Sequence, residues 1–243
     1  MLLLQVIGFT FLASLATGLG ALPFVWFPNL GKAWIGRCNA LAAGAMLGAS
    51  IILLKEGWVI QPSGLIVGLI AGAFFISTVK RALKKRPKLS ITSIKGVNGR
   101  RALLIIAIMT LHSFAEGVGM GVSFSQGIAF GLLITLALAI HNIPEGLAVS
   151  VTLVPKKTSV ARAAMWSIFS SLPQMITAVP AFLFVQQFQP FVAPGIGFAA
   201  GAMIWMCIDE LLPEAVSGTG MATTSLYTTG ATLLMIILER LIP

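Results

Sequence analysis

Two stretches of the chain carry the same pattern, a histidine followed four residues later by a glutamate and then a glycine. They are His112 with Glu116 and His141 with Glu145, and the sequence has no other histidine. A titratable side chain within a long apolar run is costly unless it faces a cavity, a partner or an ion. In a helix, residues four apart lie on one face. Two imidazoles and two carboxylates that converge would form a site for a divalent metal ion such as zinc.

The numbering predicts how the two patterns meet. His112 lies eleven residues after Arg101, about 16 Å along a helix, which is close to the middle of a bilayer. If the next helix returns after a turn centred near residue 128 or 129, His112 lies level with Glu145, and Glu116 lies level with His141. This register predicts a single cluster of four ligands. The alternative is that each histidine only hydrogen-bonds its own glutamate and joins neighbouring turns of a helix.

The composition indicates a membrane protein with several spanning helices. Of the 243 residues, 57% are hydrophobic and 9% are charged, whereas about a quarter of the residues in a soluble domain are charged. A spanning helix needs about 20 largely apolar residues. We therefore predict an all-α membrane protein, with one transmembrane domain over residues 1–243. Its eight predicted transmembrane helices are 4–27, 35–55, 63–79, 102–124, 127–153, 159–185, 191–213 and 223–241.

The basic residues predict the orientation of these helices. Nine of them lie between Lys80 and Arg101, and the positive-inside rule places that loop, residues 80–101, in the cytoplasm. All remaining basic residues except Lys55 and Arg240 then fall on the same side. Eight helices place both termini on the extracytoplasmic side of a cell (inner) membrane. Because orientation accounts for the net charge of +9, no nucleic acid is expected as a partner.

A weak internal repeat suggests how the helices are arranged. Residues 44–56 and residues 201–214 share a Gly-Ala-Met triplet followed by two leucines and a glutamate. The copies lie five predicted helices apart, so they run in opposite directions. This predicts an inverted repeat of helices 1–3 and 6–8 around a central hairpin of helices 4 and 5, a plan common among secondary transporters. Chance similarity between two apolar helices is the alternative.

The hairpin also carries a resemblance to a known family. The run His141-Asn142-Ile143-Pro144-Glu145-Gly146 resembles the helix 5 signature of the ZIP (Zrt/Irt-like) metal transporters, and residues 112–117 resemble their helix 4 signature. The resemblance covers most of the chain and is closest to the bacterial type with short loops. It implies that the metal site consists of His112, Glu116, His141 and Glu145. It also implies a secondary metal position, where this chain has Ser113, Asn142 and Gln174.

The resemblance implies a transporter that moves Zn²⁺, or a similar ion such as Fe²⁺, Mn²⁺ or Cd²⁺, into the cytoplasm by alternating access. The metal is then the transported substrate, and the protein is not an enzyme. The other hypothesis is an intramembrane zinc-dependent hydrolase, which needs an open coordination position and usually a separate general base. Once the four ligands are assigned, no buried acid is left as an obvious base.

The remaining acidic residues and the partners complete the prediction. Glu56 ends helix 2 on the outer side and is predicted to attract incoming cations. Asp209, Glu210 and Glu214 end helix 7 on the cytoplasmic side and are predicted to receive the departing ion. Ordinary helix-end charges are the alternative for all of them. The expected partners are divalent metal ions, the lipid bilayer and, as one option, a second copy of the chain in a homodimer.

Overall fold

The structure is a computed structural model that describes residues 2–27, 30–85 and 99–241. This part of the chain consists of helices and their connections, without a strand. A π-helical turn spans Cys207–Leu211, and 3₁₀ turns span Val154–Lys156 and Gln189–Phe191. The helices are α1 (Leu2–Leu19), α2 (Pro23–Trp26), α3 (Lys32–Ile60), α4 (Pro62–Lys85), α5 (Gly99–Ser125), α6 (Ile128–Leu153), α7 (Val160–Gln187), α8 (Val192–Met206), α9 (Leu212–Thr219) and α10 (Met221–Leu241).

The predicted all-α fold with eight long helical segments is confirmed. Within the described ranges, seven segments are long and apolar enough to cross a membrane. The eighth is α5, which has 27 residues and carries His112 and Glu116. The first predicted helix corresponds to α1 and α2 together, and the seventh corresponds to α8, the π-helical turn and α9.

Several boundaries differ from the prediction, three of them in ways that matter for the fold. The first helix is broken by a turn just before Pro23. The seventh is interrupted by the π-helical turn just before Pro213, since proline has no N–H to continue the hydrogen-bond ladder and its ring crowds the preceding turn. The third continues to Lys85 instead of ending at residue 79, so the predicted loop loses its first residues to a helix. Residues 86–98 of that loop lie outside the described residues.

The packing of the helices agrees with the predicted inverted repeat. Helix α4 packs along α8, and α10 packs along α3 in the corresponding way. Likewise α7 packs along α5, and α1 packs along α6. In the predicted numbering, α1, α3 and α4 are helices 1–3, α5 and α6 are helices 4 and 5, and α7, α8 and α10 are helices 6–8. Exchanging helices 1–3 with 6–8, and helix 4 with helix 5, turns the α4–α8 pair into the α10–α3 pair. The same exchange turns the α7–α5 pair into the α1–α6 pair. Such an exchange of partners is what an inverted repeat requires.

The most buried helices of the bundle are α6 of the hairpin itself and two helices that pack against the hairpin, α3 and α8. Helices α3, α6 and α8 are the most buried of the seven spans, whereas α1, α4, α7 and α10 lie at the periphery. The peripheral helices expose large apolar side chains such as Leu4, Val67, Met165 and Leu226. Exposed apolar side chains are stable against lipid, so the polar residues of the interior remain as the candidates for function.

Candidate metal centre

Helices α5 and α6 form an antiparallel hairpin with a very short turn. Helix α5 ends at Ser125 and α6 begins at Ile128, so the turn is centred about two residues earlier than predicted. Gly127 has a φ of +124°, a conformation that residues with a Cβ rarely adopt. The turn still brings the two patterns face to face, and Glu116 Oε1 lies 3.3 Å from His141 Nε2. That contact is the predicted pairing of Glu116 with His141.

Three of the four predicted ligands lie together in the interior. One ligand atom from each of Glu116, His141 and Glu145 lies within 4.8 Å of the other two, and all three side chains are buried. Among these atoms, Glu116 Oε1, His141 Nε2 and both carboxylate oxygens of Glu145 accept or donate no hydrogen bond. Unpaired polar atoms in a buried site are unfavourable, and a divalent cation bound among them would remove that cost. The donor set therefore fits a metal ion.

The imidazole of His141 is oriented by the neighbouring helix α3. Its Nδ1 lies 3.4 Å from the carbonyl oxygen of Ala42. Because a carbonyl can only accept, this contact assigns the proton to Nδ1 and leaves the lone pair of Nε2 for the cluster. A backbone carbonyl that holds the other nitrogen is the usual arrangement behind a metal-binding histidine.

The fourth predicted ligand, His112, points to a different partner. Its Nε2 lies 3.2 Å from Glu210 Oε2 on the π-helical turn, and it does not join the group of three. Its Nδ1 lies 3.0 Å from the carbonyl oxygen of Ile108, so each of its two ring nitrogens faces an acceptor oxygen. His112 therefore lies between the buried cluster and the acidic residues of the π-helical turn.

The residues predicted for a secondary metal position form a neutral polar network beside Glu116. Gln174 Nε2 donates to Glu116 Oε2 at 3.4 Å, and Gln174 Oε1 accepts from Asn142 Nδ2 at 3.0 Å and from Ser14 Oγ at 3.4 Å. Asn142 Nδ2 also donates to the carbonyl oxygen of Ala13. Ser113 is buried nearby on α5, and its hydroxyl has no hydrogen-bond partner. Gln174 thus bonds both Asn142 and Glu116 in this structure.

The other predicted acids lie toward the two ends of the bundle. Asp209 and Glu210 both contact the ammonium group of Lys80 on α4. Glu214 Oε2 accepts a hydrogen bond of 3.1 Å from Asn39 Nδ2, near the start of α3. Glu56 lies one turn before the end of α3, about 20 Å along the helix from Ala42. These positions agree with the predicted separation of Glu56 from the three acids of the seventh helix.

The chain matches a known family over most of its length. The model of the family described as "ZIP Zinc transporter" matches residues 62–238, which include both histidine–glutamate patterns and the acids of the π-helical turn. The chain belongs to the ZIP zinc transporter family. The family name agrees with the resemblance expected from residues 112–117 and 141–146, and because the family is one of transporters, the chain is not an enzyme.

Individual proteins of this family resemble the chain to different degrees. An Arabidopsis thaliana protein named "Putative zinc transporter At3g08650" is 51% identical over 213 residues, which are 85% of this chain and 34% of that protein. Zinc transporter ZupT of Shigella flexneri is 32% identical over 222 residues, 85% of this chain and 84% of that protein. Zinc transporter GufA of Myxococcus xanthus is 29% identical over 220 residues, 85% and 87% of the two chains. This chain thus spans about a third of the plant protein.

Within this ZIP family member, two glycines next to the glutamates allow helices to approach the site. A Cβ on Gly146 would overlap the carbonyl oxygen of Thr17 on α1. A Cβ on Gly117 would overlap the backbone and side chain of α7 at Gln174 and Thr177. Substituting either glycine would push a whole helix away, because the obstructing atoms include backbone. The glycine of each His-x-x-x-Glu-Gly pattern is therefore needed for packing.

We expect Gly146→Ala to destabilise the protein by about 1–3 kcal/mol, the usual cost of one extra methyl group in a packed interior. The measurement is thermal or denaturant unfolding of the purified protein in detergent. The control is Gly230→Ala on α10, where a Cβ would meet nothing within 4 Å; there alanine should stabilise the helix slightly. Equal stability of the Gly146→Ala variant and the unmodified protein would contradict this account of the packing.

Proposed function

We propose that this protein is a membrane transporter for Zn²⁺ or a similar divalent transition-metal ion, and that the ion is the transported substrate. The observation that supports this function most directly is the group of Glu116, His141 and Glu145. All three side chains are buried, and each offers an unpaired ligand atom to the same small space. Such a group within a membrane protein of this family has no evident structural purpose, since it leaves two carboxylates without a cation.

The charges of the site favour a divalent ion. Two carboxylates and a neutral imidazole supply two negative charges, so a bound M²⁺ leaves the site without net charge. In an environment of low dielectric constant, that balance matters more than it does in water. Imidazole and carboxylate ligands also suit Fe²⁺, Mn²⁺ and Cd²⁺, and we propose these ions as further substrates. His112 is proposed as the fourth ligand, because it lies one helical turn before Glu116 on the same face of α5.

We further propose that transport is directed into the cytoplasm by alternating access between the two faces of a cell membrane. The clustering of basic residues near the α4–α5 connection supports this orientation, and both termini then lie on the extracytoplasmic side. Glu56 would attract incoming ions at one end of the bundle, while Asp209, Glu210 and Glu214 would receive them at the other. The three clustered ligands belong to one chain, so the central site does not require a homodimer.

Uptake by liposomes tests this function. We expect liposomes that contain the purified protein to take up Zn²⁺ faster than empty liposomes, and Fe²⁺, Mn²⁺ and Cd²⁺ in excess should compete. The same preparation should cleave neither lipids nor peptides, whereas a hydrolase would cleave one of them. The absence of uptake for all four ions by correctly inserted protein would contradict the proposal.

A further inference from the structure

One buried cation of the bundle has no place in the metal cluster. Lys80 lies inside α4, with only 7% of its surface exposed. Its ammonium group contacts Asp209 Oδ2 and Glu210 Oε1 at the same time. A buried ammonium group is costly unless it is paired, and here two carboxylates compensate for it. Lys80 therefore belongs to the interior of the transporter, although the sequence pattern placed it in a loop.

The two carboxylates that hold Lys80 lie on the π-helical turn Cys207–Leu211. Such turns add one residue to a helical turn and are frequent at functional sites. The second carboxylate oxygen of Glu210 lies 3.2 Å from His112 Nε2. That nitrogen is buried and has no hydrogen-bond partner. Glu210 is therefore placed between the ammonium group of Lys80 on one side and the imidazole of His112 on the other.

We propose that Lys80 is a tethered cation that occupies Asp209 and Glu210 when no metal ion is bound there, and that it thereby lowers the affinity of these carboxylates for the departing ion. This inference rests on the proposed function, because it concerns the path by which the ion leaves the central cluster. The two carboxylates carry two negative charges. With Lys80 beside them, a divalent ion leaves a net charge of +1 at this position, whereas without Lys80 the charges cancel.

The charge balance explains why such a cation is useful to a transporter. Two carboxylates without a neighbouring cation attract a divalent metal ion strongly, and an ion held there would leave slowly. The ammonium group returns to the carboxylates when the ion departs, so the pair is never left uncompensated. Lys80 is thus a residue that sets affinity through Asp209 and Glu210, and it does not itself bind the ion.

The test counts the Zn²⁺ ions bound to purified protein by equilibrium dialysis and elemental analysis. The unmodified protein should hold one tightly bound ion. Lys80→Met, which keeps the length of the side chain and removes the charge, should hold a second ion, bound about tenfold or more tighter than any second ion of the unmodified protein. Lys80→Arg keeps the charge and should hold one Zn²⁺ ion, as the unmodified protein does. A Lys80→Met variant with an unchanged count and affinity would overturn the proposal.

Double variants assign the second ion and separate this proposal from the proposed function. Lys80→Met with Glu210→Gln should return to one ion. Lys80→Met with Glu145→Gln should lose the central ion but keep the new one. If none of the Lys80→Met variants binds an additional ion, the proposed role of Lys80 is wrong, and the proposed function is unaffected. If the single Glu145→Gln variant binds and takes up Zn²⁺ as the unmodified protein does, the proposed function is wrong, and the result says nothing against the role of Lys80.

A further pair keeps the test decisive if Lys80→Met does not fold. Lys80→Met with Asp209→Asn removes one charge of each sign, so its net charge equals that of the unmodified protein. This double variant should bind a second Zn²⁺ ion more tightly than Asp209→Asn alone, because the competing ammonium group is gone. Equal affinities in the two variants would overturn the proposal.

Discussion

Replacing Glu145 by glutamine should reduce Zn²⁺ uptake by about 100-fold or more, since loss of a ligand costs at least as much as loss of a group that merely supports one. Glutamine keeps the size of the side chain and removes its charge. Both oxygens of Glu145 lack a hydrogen-bond partner in the interior, so the substitution breaks no hydrogen bond seen in the structure. The protein should therefore fold and insert normally while it loses transport. The measurement is the initial rate of uptake by liposomes.

The matched control is Glu239→Gln on α10. Glu239 is also a glutamate of a membrane-spanning helix, but it pairs with Lys55 at 2.7 Å, far along the chain from the hairpin. Its substitution should leave uptake close to that of the unmodified protein. His141→Ala should behave like Glu145→Gln, because His141 Nε2 faces the same space. Full uptake by a well-expressed Glu145→Gln variant would remove the central support for the proposed metal site.

The hairpin that carries the candidate site could be predicted because its information is local. The distance of four residues between His141 and Glu145 fixes their common face, whatever the rest of the chain does. The register of the two helices depended on one short turn, and an error of about two residues in its centre did not separate Glu116 from His141. The eight helices followed from hydropathy in the same way, since each spans the bilayer by its own length.

The partners of His112 could not be predicted in this way. Glu210 lies about a hundred residues later and reaches His112 through the packing of α8 against α5 and through the π-helical turn before Pro213. Neither the packing angle nor an inserted residue leaves a periodic pattern in the sequence. The only sequence signal was the rare pair of acids near the end of an apolar helix, which favours a functional role but does not name a partner.

Lys80 was misplaced for a related reason. The density of basic residues after it is typical of a cytoplasmic loop, and counting charges cannot tell the last turns of a helix from the loop that follows. In the structure the helix continues to Lys85, and its packing against α8 brings Lys80 to Asp209 and Glu210. A charge that served as an indicator of topology thus turned out to be a buried member of an ion-pair network.

Gln174→Glu should change the number of ions that the central site holds from one to two. In the unmodified protein the site offers two negative charges, those of Glu116 and Glu145, and the neighbouring Asn142 and Gln174 already hydrogen-bond each other. A second divalent ion would leave four positive charges against two negative ones in a poorly hydrated interior, which is costly. The additional carboxylate replaces the amide that now donates to Glu116 Oε2, and two facing carboxylates require a cation between them.

The measurement is an anomalous-scattering map of the Zn²⁺-loaded protein, together with the number of ions found by dialysis. The unmodified protein should show one fully occupied central position. The Gln174→Glu variant should show a second position about 3.5–4 Å from the first, the usual spacing of bridged metal pairs. Gln189→Glu, a substitution of the same kind at an exposed turn, should add no central ion. Two fully occupied ions at that spacing in the unmodified protein would show that neutral oxygens suffice for the second position, and the charge argument would fail.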